Sequence, residues 1–186
     1  MPDGAKQAPE CAGCLRARLE DSPNTSRARQ IQLRLAARSR GELYDVNIAC
    51  EPLAAELLAA LPESERCIKA DAVDALNATM GLALQENDLV AWAKADDEFH
   101  RLLVVSCGNG RFARIAETIM DQSHRARMLS LKWRPIPTKS VEEHQQIVDS
   151  IRKGLKIQAH NKARDHRARS RDLLLPLLER FGVKQL

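Results

Sequence analysis

Aromatic residues are scarce in this chain: Tyr44, Trp92, Phe99, Phe112, Trp133 and Phe181 are the only six among 186 residues. That is too few for a platform on which successive bases of a nucleic acid stack. Long apolar runs are missing as well, and none approaches the roughly 18 to 20 residues that a membrane-spanning helix needs. The opening residues, MPDGAKQAPE, lack the apolar centre of a secretory signal. Cysteine is sparse, odd in number and scattered, at Cys11, Cys14, Cys50, Cys67 and Cys107. This argues against a disulfide framework and for a reducing, cytoplasmic setting. Alternating β-branched runs are absent, so no strands are expected.

What is there is a soluble globular composition, 44% apolar and 29% charged, at the length of one domain with a small appendage. The net charge of +4 is unevenly placed. Residues 1–41 hold eight Lys/Arg against four Asp/Glu, and residues 42–186 hold twenty-one of each. The basic excess belongs to a leader and the body is neutral, which excludes a nucleic-acid surface spread over the whole domain. The leader also holds three prolines and three glycines and few large apolar groups, so it reads as poorly ordered, with a basic helical end over 27–40. Its Cys11-Ala12-Gly13-Cys14 has no second pair at zinc-ribbon spacing and reads as neither a metal site nor a redox site.

The body is patterned as helices throughout. Leu43, Val46, Cys50, Leu53, Leu57 and Leu61 recur at helical spacing, with Pro52 a kink. Ser64 is placed to cap a second helix with Ile68, Ala72, Leu76, Met80 and Leu84 inside. Asn87-Asp88 opens a third, through Trp92, Phe99, Leu103 and Cys107, and Gly108-Asn109-Gly110 ends it. A fourth covers about 112–132 with Ile115, Ile119 and Leu129 inward, followed by a loop at Arg134-Pro135-Ile136-Pro137. Ser140 and Glu143 have capping-box spacing for a fifth helix that Gly154 closes. The sixth runs from Leu155 toward Phe181, bent or interrupted at Pro176. The expectation is an all-α antiparallel bundle of six to seven helices over 42–186.

Five histidines carry the candidate chemistry: His100, His124, His144, His160 and His166. Asp96 and His100 are four apart and share the inward face of the third helix, beside Phe99 and Leu103. His144 opens the fifth helix and His166 lies in the sixth. Taken singly, each reads as an ordinary half-buried or surface histidine. Together, three helices of a bundle can aim Asp96, His100, His144 and His166 at one point, where bundles build metal sites. One carboxylate and three imidazoles suit zinc first, with nickel, manganese or iron as alternatives. Such a centre keeps a net positive charge and attracts an anion, most simply a small carboxylate. His124 and His160 have no patterned partner, and the arginines from Arg164 to Arg171 read as a solvated helix face.

The ordered set Leu43-Tyr44-Asp45-Val46, Glu51-Pro52-Leu53-Ala54-Ala55, Asp96-Asp97-Glu98-Phe99-His100-Arg101-Leu102, Gly108-Asn109 before Phe112, Glu143-His144 with Ile147, and Arg164-Asp165-His166 resembles the carboxy-terminal effector domain, the FCD domain, of FadR-like GntR-family bacterial transcription regulators. The resemblance covers nearly all of residues 43–180. It implies the helical bundle, a metal on Asp96, His100, His144 and His166, a homodimer, and an organic-acid or sugar-acid effector. It also points to Arg125 and Arg127 as effector-binding residues, Arg125 ahead of Arg127, since a guanidinium grips a carboxylate bidentately. The function expected is ligand sensing by a regulator, not catalysis. Alternatives are a metal-dependent hydrolase or lyase on the same bundle, or a DNA-binding protein that uses the basic leader. Members of the resembled family carry a winged-helix domain of about seventy residues before this body. Only 41 residues stand there in this chain, with Ser26 to Leu35 weighed as a remnant of a recognition helix. DNA binding is therefore expected only where a winged helix is present.

Overall fold

The computed structural model describes the backbone of residues 23–181 and the side chains of residues 41–181. Six helices fill it: α1 (Pro23–Ala59), α2 (Glu63–Gln85), α3 (Leu89–Val105), α4 (Gly110–Ser130), α5 (Thr138–Arg152) and α6 (Lys156–Arg180). Among the described residues there is no strand. The all-α expectation holds, with the joints where glycine, asparagine and proline place them. Asp88 caps α3 by accepting from the backbone N–H groups of Val90 and Ala91, and Asn109 caps α4 by accepting from that of Phe112. Gly108 and Gly154 adopt positive φ, 84° and 68°, at the ends of α3 and α5, a conformation that a Cβ disfavours.

The segment expected as a basic helical end, including Ser26 to Leu35, runs without interruption into the bundle as the first half of α1. Cys11 and Cys14 lie outside the described residues. Pro52 and Pro176 sit inside α1 and α6 without ending either helix. The cap expected from Ser64 is absent: α2 starts at Glu63, after Pro62, so Ser64 lies inside it, and no side-chain cap bond is made. The Ser140–Glu143 capping box is absent too, because α5 begins at Thr138 and Glu143 turns to α6 instead. No helix in the described part is long and apolar enough to cross a membrane.

α1 packs along α6, α2 lies against α3 and α5, and α5 also meets α6. The core between them is built from Leu58, Val73, Met80, Trp92, Phe99, Leu103, Ile147 and Ile151, all 2% exposed or less. Each such side chain contributes roughly 1.5–3 kcal/mol by leaving water.

Three inner faces differ from expectation. On α1 the buried line is Leu43, Tyr44, Asn47, Glu51, Ala54, Ala55 and Leu58, while Val46 and Leu53 face outward at 38% and 41% exposure. On α2 it is Ala70, Val73, Asn77, Met80 and Ala83, and Ile68 is exposed. On α4 it is Ala113, Ala116, Met120, Ser123, Ala126, Arg127 and Ser130, and Ile115 and Leu129 are exposed. In each case small or polar side chains face inward, where helices approach closely or polar groups find partners.

Candidate metal and effector site

α3, α5 and α6 each bring one histidine to the centre of the bundle. His100, His144 and His166 are buried, and one ligand nitrogen of each lies within 4.8 Å of the other two. His144 Nε2 and His166 Nε2 face one another at 3.1 Å. A metal ion with bonds of about 2.0–2.1 Å to imidazole nitrogen holds two tetrahedral ligands about 3.3 Å apart, so this pair is already spaced for an ion. Asp96 stands at the edge of the cluster, its Oδ2 3.7 Å from His100 Nε2 and its Oδ1 3.9 Å from His144 Nε2.

The outer nitrogens decide which inner ones are free. His166 Nδ1 lies 2.8 Å from Glu143 Oε2, and Arg169 Nε donates to Glu143 Oε1 at 2.6 Å. Burial alone would raise the Glu143 carboxyl, but the His166 hydrogen bond and Arg169 outweigh it and bring the pKa down to about 2. Beside that carboxylate the His166 proton belongs on Nδ1, leaving the Nε2 lone pair turned into the cluster. His100 Nδ1 is 2.9 Å from Glu51 Oε2, yet out of line for a hydrogen bond, so both of its ring nitrogens stand without a hydrogen-bond partner. His144 is stacked on Phe99, ring centroids 4.1 Å apart and 18° from parallel, and its Nδ1 is buried without a partner. His100 Nε2, buried without a partner beside two facing Nε2 atoms of neutral imidazoles, fits a metal ion.

Charge around the cluster favours neutral rings. Burial lowers the pKa of His100 and His144 well below the usual 6.5, aided at both by Arg167, Arg127 and the neighbouring His166. Burial also lowers His166, against the pull of Glu143. For Asp96, burial acts upward, but Arg127 foremost, with Arg167, reverses it and lowers its carboxyl below the usual range.

Arg127 is the arginine that turns inward. Its Nε pairs with Asp96 Oδ2 at 2.5 Å and its Nη1 reaches Asp97 Oδ1 at 3.4 Å. Arg125 is exposed on the opposite side of α4, the reverse of the expected preference. His124 is half-buried 3.5 Å from Asp97, and His160 stands away from the cluster beside Asn161. Two participants escaped the sequence reading. Arg167, within the run expected to be solvated, is 4% exposed and holds Glu51 through both its Nε, at 2.6 Å, and its Nη2. Glu51 falls within Glu51-Pro52-Leu53-Ala54-Ala55, where no site role is expected of it. A signal for it existed: Tyr44, Asn47, Glu51, Ala55 and Leu58 repeat at three- and four-residue steps.

A cleft of about 200 Å³ between α5 and α6, lined by Lys139, Glu143, Gln146, Lys162, Asp165 and His166, reaches one of the three histidines.

Residues 42–169, which contain Asp96 and all three histidines, match the FCD domain family. An uncharacterized HTH-type transcriptional regulator of Agrobacterium vitis, from the TAR-I ttuE-ttuC' intergenic region, is 45% identical over 67 residues, 34% of this chain and 37% of that protein. Streptococcus agalactiae GntR shares the fold with a TM-score of 0.59 at 22% identity, over 74% of this chain and 60% of that one. The chain therefore spans less than two thirds of either relative. With most of its residues inside the family match, the chain belongs to the FCD domain family.

Proposed function

We propose that this chain is the ligand-sensing, metal-binding regulatory domain of a GntR/FadR-type transcription regulator, with a small organic-acid or sugar-acid effector held at its metal centre. The observation that carries the reading is the meeting of three buried, neutral imidazoles within 4.8 Å. His100, His144 and His166 would hold the ion through Nε2. Asp96 can join through Oδ1, the oxygen toward His144, while its Oδ2 stays on Arg127. Zinc suits this set first, then nickel, manganese or iron. A bound divalent ion supplies a positive centre with an open position for an anion. The cleft between α5 and α6 is the natural way in.

A sensor is favoured over an enzyme by the state of the carboxylates. Glu51, Asp96 and Glu143 are each tied to an arginine, so none stands free as a general base. A homodimer belongs to the same reading, in which a second copy would cover the exposed Ile115 and Leu129 of α4. Effector binding would favour one dimer arrangement and so alter DNA affinity in a cytoplasmic protein that carries a winged helix. Metal analysis of protein purified without a histidine tag tests the centre. About one divalent ion per chain is expected, and His144→Ala should lose it; undiminished metal in that variant would overturn the ligand assignment.

A further inference from the structure

We infer that Glu51 is a positioning residue for His100, and that through it an occupied centre takes hold of α1. The inference rests on the metal-centred reading above and links that centre to a helix that supplies it no ligand. Two arginines of α6 each hold a carboxylate from another helix, and each carboxylate faces the Nδ1 of a different histidine. Arg169 holds Glu143 of α5 through Nε and Nη2, both at 2.6 Å, and Glu143 Oε2 is hydrogen-bonded to His166 Nδ1 at 2.8 Å. Arg167 holds Glu51 of α1 through Nε and Nη2, and Glu51 Oε2 lies 2.9 Å from His100 Nδ1. The first arm is complete. The second lacks its last bond, since both ring nitrogens of His100 are buried without a hydrogen-bond partner.

A neutral imidazole carries a single N–H, and without a partner at either nitrogen nothing fixes that proton on one of them. Once His100 Nε2 is committed to an ion, the proton has only Nδ1 to occupy, on the side of Glu51. No proton is gained or lost, and the ring stays neutral. Asp96, the other carboxylate beside this ring, stands on the Nε2 side at 3.7 Å and does not compete for Nδ1. A carboxylate oxygen has two lone pairs, so Glu51 Oε2 can accept from His100 while it keeps Arg167 Nε. At 2.9 Å the two atoms are already at hydrogen-bond distance, and only the alignment is missing. A carboxylate behind a ligating histidine fixes its tautomer and makes the ring a better donor. Glu51 and His100 are each 2% exposed, so the bond would form away from solvent. The ligands come from α3, α5 and α6, whereas Glu51 belongs to α1, the helix that begins at Pro23. The bond is made only with the ion in place, so the ion tightens α1 and α1 tightens the ion by the same factor.

The test compares the full chain with its double variant Glu51→Leu/Arg167→Met, which removes this arm without stranding a charge, each with and without zinc. Zinc affinity, measured by competition with a chromophoric chelator, should fall about ten- to a hundred-fold in the variant. In protein labelled with 15N-histidine, NMR of the zinc-loaded parent should show His100 as the Nδ1–H tautomer with a slowly exchanging proton, and the variant should lose that slow exchange. Amide hydrogen exchange in α1 around Glu51 should slow on zinc loading in the parent more than in the variant. The two parent readouts stand even where the variant does not fold. A variant affinity within about twofold of the parent, a zinc-loaded His100 whose Nδ1 proton exchanges freely, or an α1 indifferent to zinc would overturn the role of Glu51 and leave the metal centre standing. A parent chain that takes up no zinc would overturn the centre and this inference together.

Discussion

The ion pair between Glu51 on α1 and Arg167 on α6 joins the two helices that pack along one another, and its side chains are 3% and 4% exposed. Replacing Arg167 with Met removes the guanidinium and leaves a carboxylate in the interior with no cation of its own. Breaking a buried pair from one side costs about 3–5 kcal/mol, a large share of the roughly 5–15 kcal/mol that stabilises a domain. At about 2–4 °C per kcal/mol for a chain of this size, Tm should fall by about 10 °C. The double variant Glu51→Leu/Arg167→Met removes both charges and should recover most of the loss, because a buried pair replaced by apolar groups is often neutral. Urea denaturation of chelated protein, followed by circular dichroism, gives all three stabilities without a metal contribution. A single variant within about 1 kcal/mol of the parent, or a double variant no better than the single, would refute the reasoning.

Three further outcomes follow from the same interior. The three histidines have lowered pKa values, so the unfolded chain binds protons that the folded chain refuses, and stability of the metal-free protein should fall as pH drops below 6.5. Glu143, lowered from 4.5 to about 2, stabilises fully above 4.5 and loses that contribution as pH falls toward 2. Glu143→Gln should therefore remove about 2–3 kcal/mol of acid dependence in that lower window and, by removing the pull that raises His166, deepen the loss of stability in the upper one; an unchanged lower window in urea titrations at a series of pH values would count against it. Phe99, fully buried and stacked on His144, should cost about 3–5 kcal/mol when cut to Ala and weaken metal binding through loss of the ring that holds His144. Metal affinity measured by competition with a chromophoric chelator, if equal to that of the parent, would separate Phe99 from the centre.

The helices were legible in the sequence because their ends are chemically marked, by Asp88, Asn109, Gly108 and Gly154. The histidine cluster was legible because a four-residue step fixes two side chains on one face, and because the patterned histidines fall on helices that meet. The inner faces of α1, α2 and α4 were misread for a single reason. Apolar size is a poor sign of burial here, since these helices bury alanine, serine, asparagine, glutamate and arginine and turn isoleucine and leucine out. Burying Glu51 and Arg167 is tolerable only because each satisfies the other, and the two are 116 positions apart. No local pattern contains that fact. Glu143 misled for a related reason: three residues after a serine it suits a cap, but Arg169 and His166 offer it charged or ring N–H donors.

The interior charges constrain what can occupy the site. Four guanidiniums, of Arg127, Arg134, Arg167 and Arg169, surround the cluster, and three carboxylates, of Glu51, Asp96 and Glu143, answer all but Arg134. The imidazoles are neutral and add nothing, so the metal-free cluster carries one cation in excess. A divalent ion raises that excess to three in a region from which water is largely kept. Metal alone therefore leaves the centre further from balance, and an anion on the ion lessens that excess. Metal and effector should consequently bind with positive coupling, each tightening the other by the same factor.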